Sequence, residues 1–230
     1  LDHLRGIVKT EKKVKVTELS QRFDVTEETI RRDLERLELE GLITRTHGGA
    51  VLKVENMFDR LGYTHRSRTN VEEKKKIAQI VASIIPMQAT LFADASSTVM
   101  EALTLMADRD DITVLTNSIP VLSSLNQSGL NIMSTGGANN RVSCSLQGII
   151  ARTTIMNYHV DFVLTSCKGL KLDEGAYDSR EGETEIKQLM ISRGQKTIMM
   201  ADHTKFDRTS FVKYCSFQQI DILVTDRRPA

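Results

Sequence analysis

The sequence predicts an α/β protein in two parts: a small helical unit closed by a hairpin, then a larger, mostly parallel α/β sheet. Three observations carry this. Residues 16–50, VTELSQRFDVTEETIRRDLERLELEGLITRTHGGA, show two helical periodicities followed by a glycine-tipped strand pattern. From residue 72 onward, short apolar runs alternate with amphipathic stretches, as in a sheet covered on both faces. The length of 230 residues exceeds the usual single-domain size of roughly 100–150, so two domains are expected.

Composition narrows the class. With 40% hydrophobic and 27% charged residues, the chain reads as an ordinary globular protein. Its longest apolar runs, such as Ile84–Ile85 and Ile198–Met200, are too short to span a bilayer, so no membrane partner is expected. No secretory signal opens the chain, and the odd set of three cysteines (Cys144, Cys167, Cys215) matches no metal-ligand spacing. A reducing cytoplasm, buried or half-buried thiols, and neither metal nor cofactor are the expectations. The chain opens on Leu1 within an already helical LDHLRGIVKT, so further residues are expected before it.

The elements of the first part, 1–52, follow in order. A helix over 1–10 carries the stripe Leu4, Ile7, Val8. Thr17 is a good N-cap for the next, with Leu19 and Phe23 apolar, and Asp24 turns the chain. Thr26 then caps a longer helix, with Val25 positioned to staple against Ile30. There Ile30, Leu34 and Leu37 recur at i, i+4 and i+7 and form the core face, while Glu28, Arg32, Glu35 and Arg36 point away. Gly41 ends the helix, and Leu42–Thr46 alternates with strand period into a His47–Gly48–Gly49 turn.

Two short helices, a tight turn and a glycine-tipped hairpin make a winged helix-turn-helix, whose second helix fits the major groove of duplex DNA. Thr26, Glu28, Thr29, Arg31 and Arg32 are the groove-facing set. Arginine forks onto guanine, glutamate accepts from cytosine, and threonine meets phosphate or the thymine methyl. On the wing, Arg45 and His47 are candidates for phosphate or minor-groove contacts. The bland reading of the same helix face is a solvated surface with i,i+4 pairs such as Glu28–Arg32. A net charge of +1 means that attraction to DNA must come from local arrangement. An RNA-binding or protein-docking role is the weaker alternative, because Phe23 is the module's one aromatic ring and belongs to its core.

Residues 53–71, KVENMFDRLGYTHRSRTNV, lack sustained periodicity and read as a linker, with Arg60, Arg66 and Arg68 solvated or lying along DNA. In the second part, 72–230, a helix at 72–85 precedes strands at 90–93, 112–115, 130–133, 160–165, 197–200 and 220–225. Helices are expected between them near 97–107, 118–126, 147–157 and 183–193. In such sheets a ligand binds beyond the carboxyl ends of the strands. Those ends carry Asp94, Ser96, Ser97 and Thr98; then Asn117 and Ser118; then Gly136 and Gly137; then Lys168; then Asp202 and Lys205.

Such a rim suits a small polyhydroxylated anion. A helix start at 96–98 offers N–H groups to a phosphate, and the glycines let backbone approach closely. Lys168 and Lys205 neutralise charge, while Asp94, Asn117 and Asp202 meet hydroxyls.

The string TEETIRRDLERLELEGLITRTHGGAV closely resembles the signature of DeoR-type bacterial transcriptional regulators. The second part is similar to that family's sensor, a fold akin to ribose-5-phosphate isomerase. The family's D-x-G-S-T loop matches Asp94, Ser97 and Thr98, with Ser96 where glycine is usual. Its T-N-S matches 116–118, its G-G matches 136–137, and its D-H-S-K-F matches 202–206 with Thr204 for serine. Glu183 and Lys187 correspond to its late-helix glutamate and lysine, and the ending DRRPA is shorter than usual, implying residues beyond it.

The resemblance implies a non-enzymatic cytoplasmic regulator, a repressor of a carbohydrate-utilisation operon controlled by a phosphorylated sugar. Its partners would be a duplex operator and a second copy, as homodimer or tetramer. The alternative is a sugar-phosphate isomerase with an appended binding module, using Glu183 or Asp94 as base. Against it, KGLKLDEGAYDSREGETEIK lacks the glycine-rich stretch that the isomerases place between lysine and glutamate.

Overall fold

A computed structural model describes residues 2–11, 13–39, 43–46, 48–52 and 62–228. It divides into two compact units, Leu1–Arg60 and Leu61–Ala230.

In the first unit, α1 (Asp2–Glu11), β1 (Lys13–Lys15), α2 (Val16–Phe23) and α3 (Glu27–Leu39) precede the wing strands β2 (Ile43–Thr46) and β3 (Gly49–Leu52). Ile30, Leu34 and Leu37 point into one core with Leu4, Val8, Leu19, Ile43 and Ala50. Each buried aliphatic side chain of this kind contributes about 1.5–3 kcal/mol. Asp24 ends α2 in the left-handed region at φ 51°, donating its N–H to Gln21 and Ser20, which turns the chain toward α3. Thr26 caps α3 as expected, its hydroxyl accepting the Thr29 N–H at 3.3 Å. Val25 remains 38% exposed.

Thr17, expected as a cap, lies inside α2, which begins at Val16 with no side-chain cap. The physical reason is β1: Val14 and Val16 are both buried, and the Val16 N–H reaches the Gly48 carbonyl at 3.0 Å. The strand therefore runs straight into the helix. β1 makes the wing a three-stranded antiparallel sheet in the order β1-β3-β2. Gly41 and His47 lie outside the described residues.

The second unit opens with α4 (Tyr63–Arg68) and α5 (Val71–Ile84) and continues β4 (Thr90–Ala93), α6 (Ser97–Leu105), β5 (Thr113–Thr116), α7 (Ile119–Ser124) and β6 (Asn131–Ser134). A hairpin of β7 (Ala138–Asn140) and β8 (Ser145–Gln147) leads to α8 (Ile149–Met156) and β9 (Val160–Thr165). Then come β10 (Gly169–Lys171), β11 (Gly175–Asp178), α9 (Glu181–Ser192), β12 (Gly194–Met200), β13 (Val212–Ser216) and β14 (Ile222–Val224).

Six strands form one parallel sheet in the order β14-β12-β9-β4-β5-β6. Alternation along β4 shows both faces buried. Leu91 and Ala93 pack with Ile77, Val81 and Val99 of α5 and α6, and Phe92 packs with Ile155, Ile186 and Met190 of α8 and α9. β10, β11 and β13 form a separate antiparallel sheet. Among the described residues no helix is long and apolar enough to cross a membrane.

The segment read as linker differs from expectation, since its second half holds α4. That helix buries no residue and so has no apolar stripe for the sequence to show. Polar tethers hold it instead. The Tyr63 N–H donates to Val142 O at 3.0 Å, and the Lys74 ammonium donates to the carbonyls of Arg66 and, at 2.6 Å, Thr69.

Candidate DNA-contacting surface and ligand crevice

On α3 the candidate residues fall on the exposed face, opposite Ile30, Leu34 and Leu37. They differ in freedom. Thr26 and Thr29 are turned toward one another, hydroxyl to hydroxyl at 3.0 Å, as a cap. Arg31 is engaged with Glu27 at 2.7 Å. Arg32 is 77% exposed and only loosely paired with Glu28 at 3.9 Å, so it is less engaged than Arg31. Arg45 is exposed on β2, and its backbone N–H donates to Glu38 Oε1 at 2.8 Å, bracing the wing against α3.

In the sheet, β4 and β9 are neighbours, while the chain proceeds outward from β4 to β5 and β6 on one side and from β9 to β12 and β14 on the other. That reversal is a switch point, the place where open parallel sheets form their ligand crevice. Asp94 follows β4 there and is 1% exposed. Oδ1 accepts the Ser96 N–H at 2.9 Å and the Ser96 hydroxyl; Oδ2 accepts Thr165 Oγ1 at 2.8 Å and the Ser166 N–H at 3.1 Å. Expected to meet sugar hydroxyls, Asp94 instead spends both oxygens on protein donors and ties β4 to β9. Because the Ser96 hydroxyl turns to Asp94, the N-terminus of α6 has no side-chain cap, and buried Ser97 and Thr98 open that helix.

The cation at the centre is Lys187 of α9. Its ammonium lies 3.2 Å from Asp94 Oδ2 and 2.5 Å from Asp178 Oδ2 and donates to Ser166 O at 2.6 Å. Burial disfavours both charges, yet the pair overcomes it. Asp178 is held below the usual carboxylate range by Lys187, and Lys187 is pushed above the usual ammonium range by Asp178 and Asp94. Lys168 and Lys205, named from sequence, are half-buried on the same rim. The Lys168 N–H donates to Tyr177 O at 2.9 Å.

Beside them stands Lys74 of α5, which the sequence reading did not single out. It is 5% exposed, and burial lowers it to about 8, Asp202 opposing. His65 of α4 is depressed by burial and then by the charges of Lys168 and Lys74.

Asn117 follows β5 and is 1% exposed. Its amide nitrogen donates to Leu146 O at 3.2 Å, while Oδ1 is buried with no hydrogen-bond partner among the described residues. Ser118 caps α7, accepting the Val121 N–H at 3.4 Å, a structural role. Gly136 and Gly137 have φ of 64° and 116°, and a Cβ on Gly137 would lie 2.5 Å from Gln147 O. Backbone packing therefore dictates glycine there. Asp202 Oδ1 accepts the Thr204 N–H at 3.0 Å and Asn70 Nδ2 at 3.2 Å.

Glu183 is buried, its Oε1 accepting from Ser145 and Gln147 of β8. Glu73, His203 and Asp226 also cluster, but His203 and Asp226 satisfy each other, Nδ1 to Oδ2 at 2.8 Å. The cysteines are half-buried (Cys144) or buried (Cys167, Cys215), and burial pushes Cys167 up to about 12 and also raises Cys215, leaving inert thiols.

A winged helix followed by a sheet whose switch point gathers helix N–H groups, an unpartnered amide oxygen and several cations defines a DNA-binding regulator with a ligand-sensing unit. Residues 2–56 match the DeoR-like helix-turn-helix domain and residues 69–227 the DeoR C terminal sensor domain. The chain belongs to the DeoR family of DNA-binding transcriptional regulators. It is 38% identical over 221 residues, 96% of this chain and 85% of the relative, to the uncharacterized HTH-type transcriptional regulator YulB of Bacillus subtilis. It is 33% identical over 223 residues, 96% and 85%, to the HTH-type transcriptional repressor GlcR of the same organism. Among solved structures, ribose 5-phosphate isomerase A from Methanocaldococcus jannaschii is similar with a TM-score of 0.46 at 10% identity, covering 60% of this chain and 55% of that one. The named relatives are regulators, which disfavours the isomerase alternative.

Proposed function

We propose that this regulator represses a carbohydrate-utilisation operon, under control of a phosphorylated sugar or sugar derivative bound in the crevice at the β4–β9 switch point. The observation that carries the reading is the combination there of an α6 N-terminus without a side-chain cap and the buried, unpartnered Asn117 Oδ1. The first suits a phosphate; the second suits a hydroxyl. Asp202, Lys168 and Lys205 complete the polar rim, and the repressor name of the GlcR relative supports the sign of regulation. Ligand binding shifts the population between DNA-competent and DNA-incompetent arrangements, a coupling typically of about 1–3 kcal/mol. Thr26, Glu28, Thr29, Arg31, Arg32 and Arg45 form the DNA surface, with His47 a further candidate from the sequence, in a homodimer or tetramer whose paired helices read half-sites about one helical turn apart.

A thermal-shift series with glucose 6-phosphate, fructose 6-phosphate, fructose 1-phosphate and N-acetylglucosamine 6-phosphate, each against its unphosphorylated sugar, tests the effector. Stabilisation by at least one phosphorylated compound and not by its parent is expected. Equal response to both members of every pair would sink the phosphate assignment.

A further inference from the structure

Building on the sugar-phosphate reading above, we propose that Asn70 is a positioning residue of the crevice and α4 its output element. Ligand engagement of Asp202 displaces the Asn70 amide and loosens the first described helix after the DNA-binding unit.

Asn70 forms the elbow between α4 and α5, in the left-handed region at φ 51° and ψ 45°. Its amide nitrogen donates to Asp202 Oδ1 and to Thr204 Oγ1, both at 3.2 Å. Two N–H bonds from one amide allow both contacts at once. Asp202 Oδ1 additionally accepts the Thr204 N–H at 3.0 Å and the Thr204 hydroxyl. A carboxylate oxygen has about two lone-pair sites, so three donors already crowd it. A ligand hydroxyl donating to the same oxygen must replace one of them. Thr204 is two residues from Asp202 and held by the local turn, whereas Asn70 comes from 132 residues away. Asn70 is therefore the donor that yields.

The consequence for α4 follows from how that helix is held. It spans six residues and buries none, so polar tethers, not core packing, set its stability. On one side Lys74 binds the Arg66 and Thr69 carbonyls, and Asn70 pins the elbow to Asp202. On the other, the Tyr63 N–H meets Val142 O at 3.0 Å and Arg66 Nη2 meets Ser143 O at 3.4 Å. That second side also leads into the crevice. The strand after Ser143 is β8, whose Leu146 N–H donates to Asn117 O at 2.8 Å and whose carbonyl receives the Asn117 amide. Asp202 is thus joined to the α4–α5 elbow through Asn70, and Asn117 to α4 through the Ser143–Leu146 backbone.

Hydrogen–deuterium exchange on the full chain tests this at the amides of Tyr63, His65, Arg66 and Thr69, whose acceptors are Val142, Gly62 and Arg66. Asn70→Gly keeps the left-handed backbone and deletes the amide; Asn70→Asp keeps the turn and replaces the donor with an acceptor. Without ligand, both variants are expected to exchange about 2- to 12-fold faster than wild type at these amides, the range for one lost hydrogen bond. Amides of α6 and α9 should stay unchanged. Whichever of the four sugar phosphates named above stabilises the protein should accelerate α4 in wild type and add nothing in Asn70→Gly. Unchanged α4 exchange in the ligand-free variants would overturn the anchor. A probe that raises Tm while leaving wild-type α4 exchange unaltered, or accelerating it equally in Asn70→Gly, would overturn the output role. Absence of any thermal shift would instead overturn the sugar-phosphate reading, and the ligand-driven half of this inference with it.

Discussion

Lys187 shows why single side chains here carry unequal weight. Its ammonium neutralises Asp94 and Asp178, all three buried, so Lys187→Met leaves two carboxylates without their counter-charge. Removing one partner of a buried ion pair costs about 3–5 kcal/mol, and urea unfolding should show a loss of that order. The pH dependence follows from the same pair. Asp178 has its pKa lowered on folding, so it contributes stability above the ordinary carboxylate pKa of about 4 and loses it as pH falls toward the folded value. Lys187 has its pKa raised, so its contribution persists below about 10 and is lost as pH rises through the folded value. Asp178→Asn should therefore flatten the acid limb of a stability–pH curve; an unchanged limb would assign acid sensitivity elsewhere. On the DNA side, Arg32→Ala should weaken operator binding by about 1–3 kcal/mol if Arg32 reads a base, measured by fluorescence anisotropy. Arg31→Ala is expected to cost less, since Arg31 is already committed to Glu27 at 2.7 Å.

At the scale of elements, backbone contact makes two glycines irreplaceable. A Cβ on Gly49 would lie 2.0 Å from Val14 O, so Gly49→Ala should part β1 from β3 and abolish DNA binding with loss of thermal stability in the first unit. Gly137→Ala should likewise displace β8, reducing any sugar-phosphate thermal shift while DNA binding persists. The six parallel strands and the long helices could be read from the chain because most lie in apolar runs or helical periods of four or more residues, as in Val160–Thr165 or Val71–Ile84, and even the three-residue β14 sits within the apolar run 220–225. The antiparallel strands β10, β11 and β13 could not. They have three to five residues, and Gly169 and Gly175 stand at the starts of the first two, so no period develops. The crevice was partly visible for a different reason: strand ends are where open parallel sheets bind ligands, which picked out Asp94, Asn117 and Asp202. Lys187 was named only through the family resemblance, as its late-helix lysine, while Asp178, Lys74 and Asn70 arrive from the antiparallel sheet, a helix and an elbow, and only folding brings these three close to it or to Asp202.

For the whole molecule, two compact units with separate cores lead to the expectation of two melting transitions. A sugar phosphate at 100 times its Kd stabilises the unit that binds it by about 2.7 kcal/mol. Differential scanning calorimetry should show the sensor transition moving and the first unit's staying in place; parallel shifts of both would mean that the units unfold as one. The same division has a consequence in time. Among the described residues the first core lies between Leu4 and Ala50, so its contacts are local in sequence and can form once that stretch has left the ribosome. The second unit instead joins Asp94 to Ser166, 72 positions later, and then needs Lys187. In a nascent chain the first core can therefore close well before Ser166 and Lys187, which complete the Asp94 cluster, have been made.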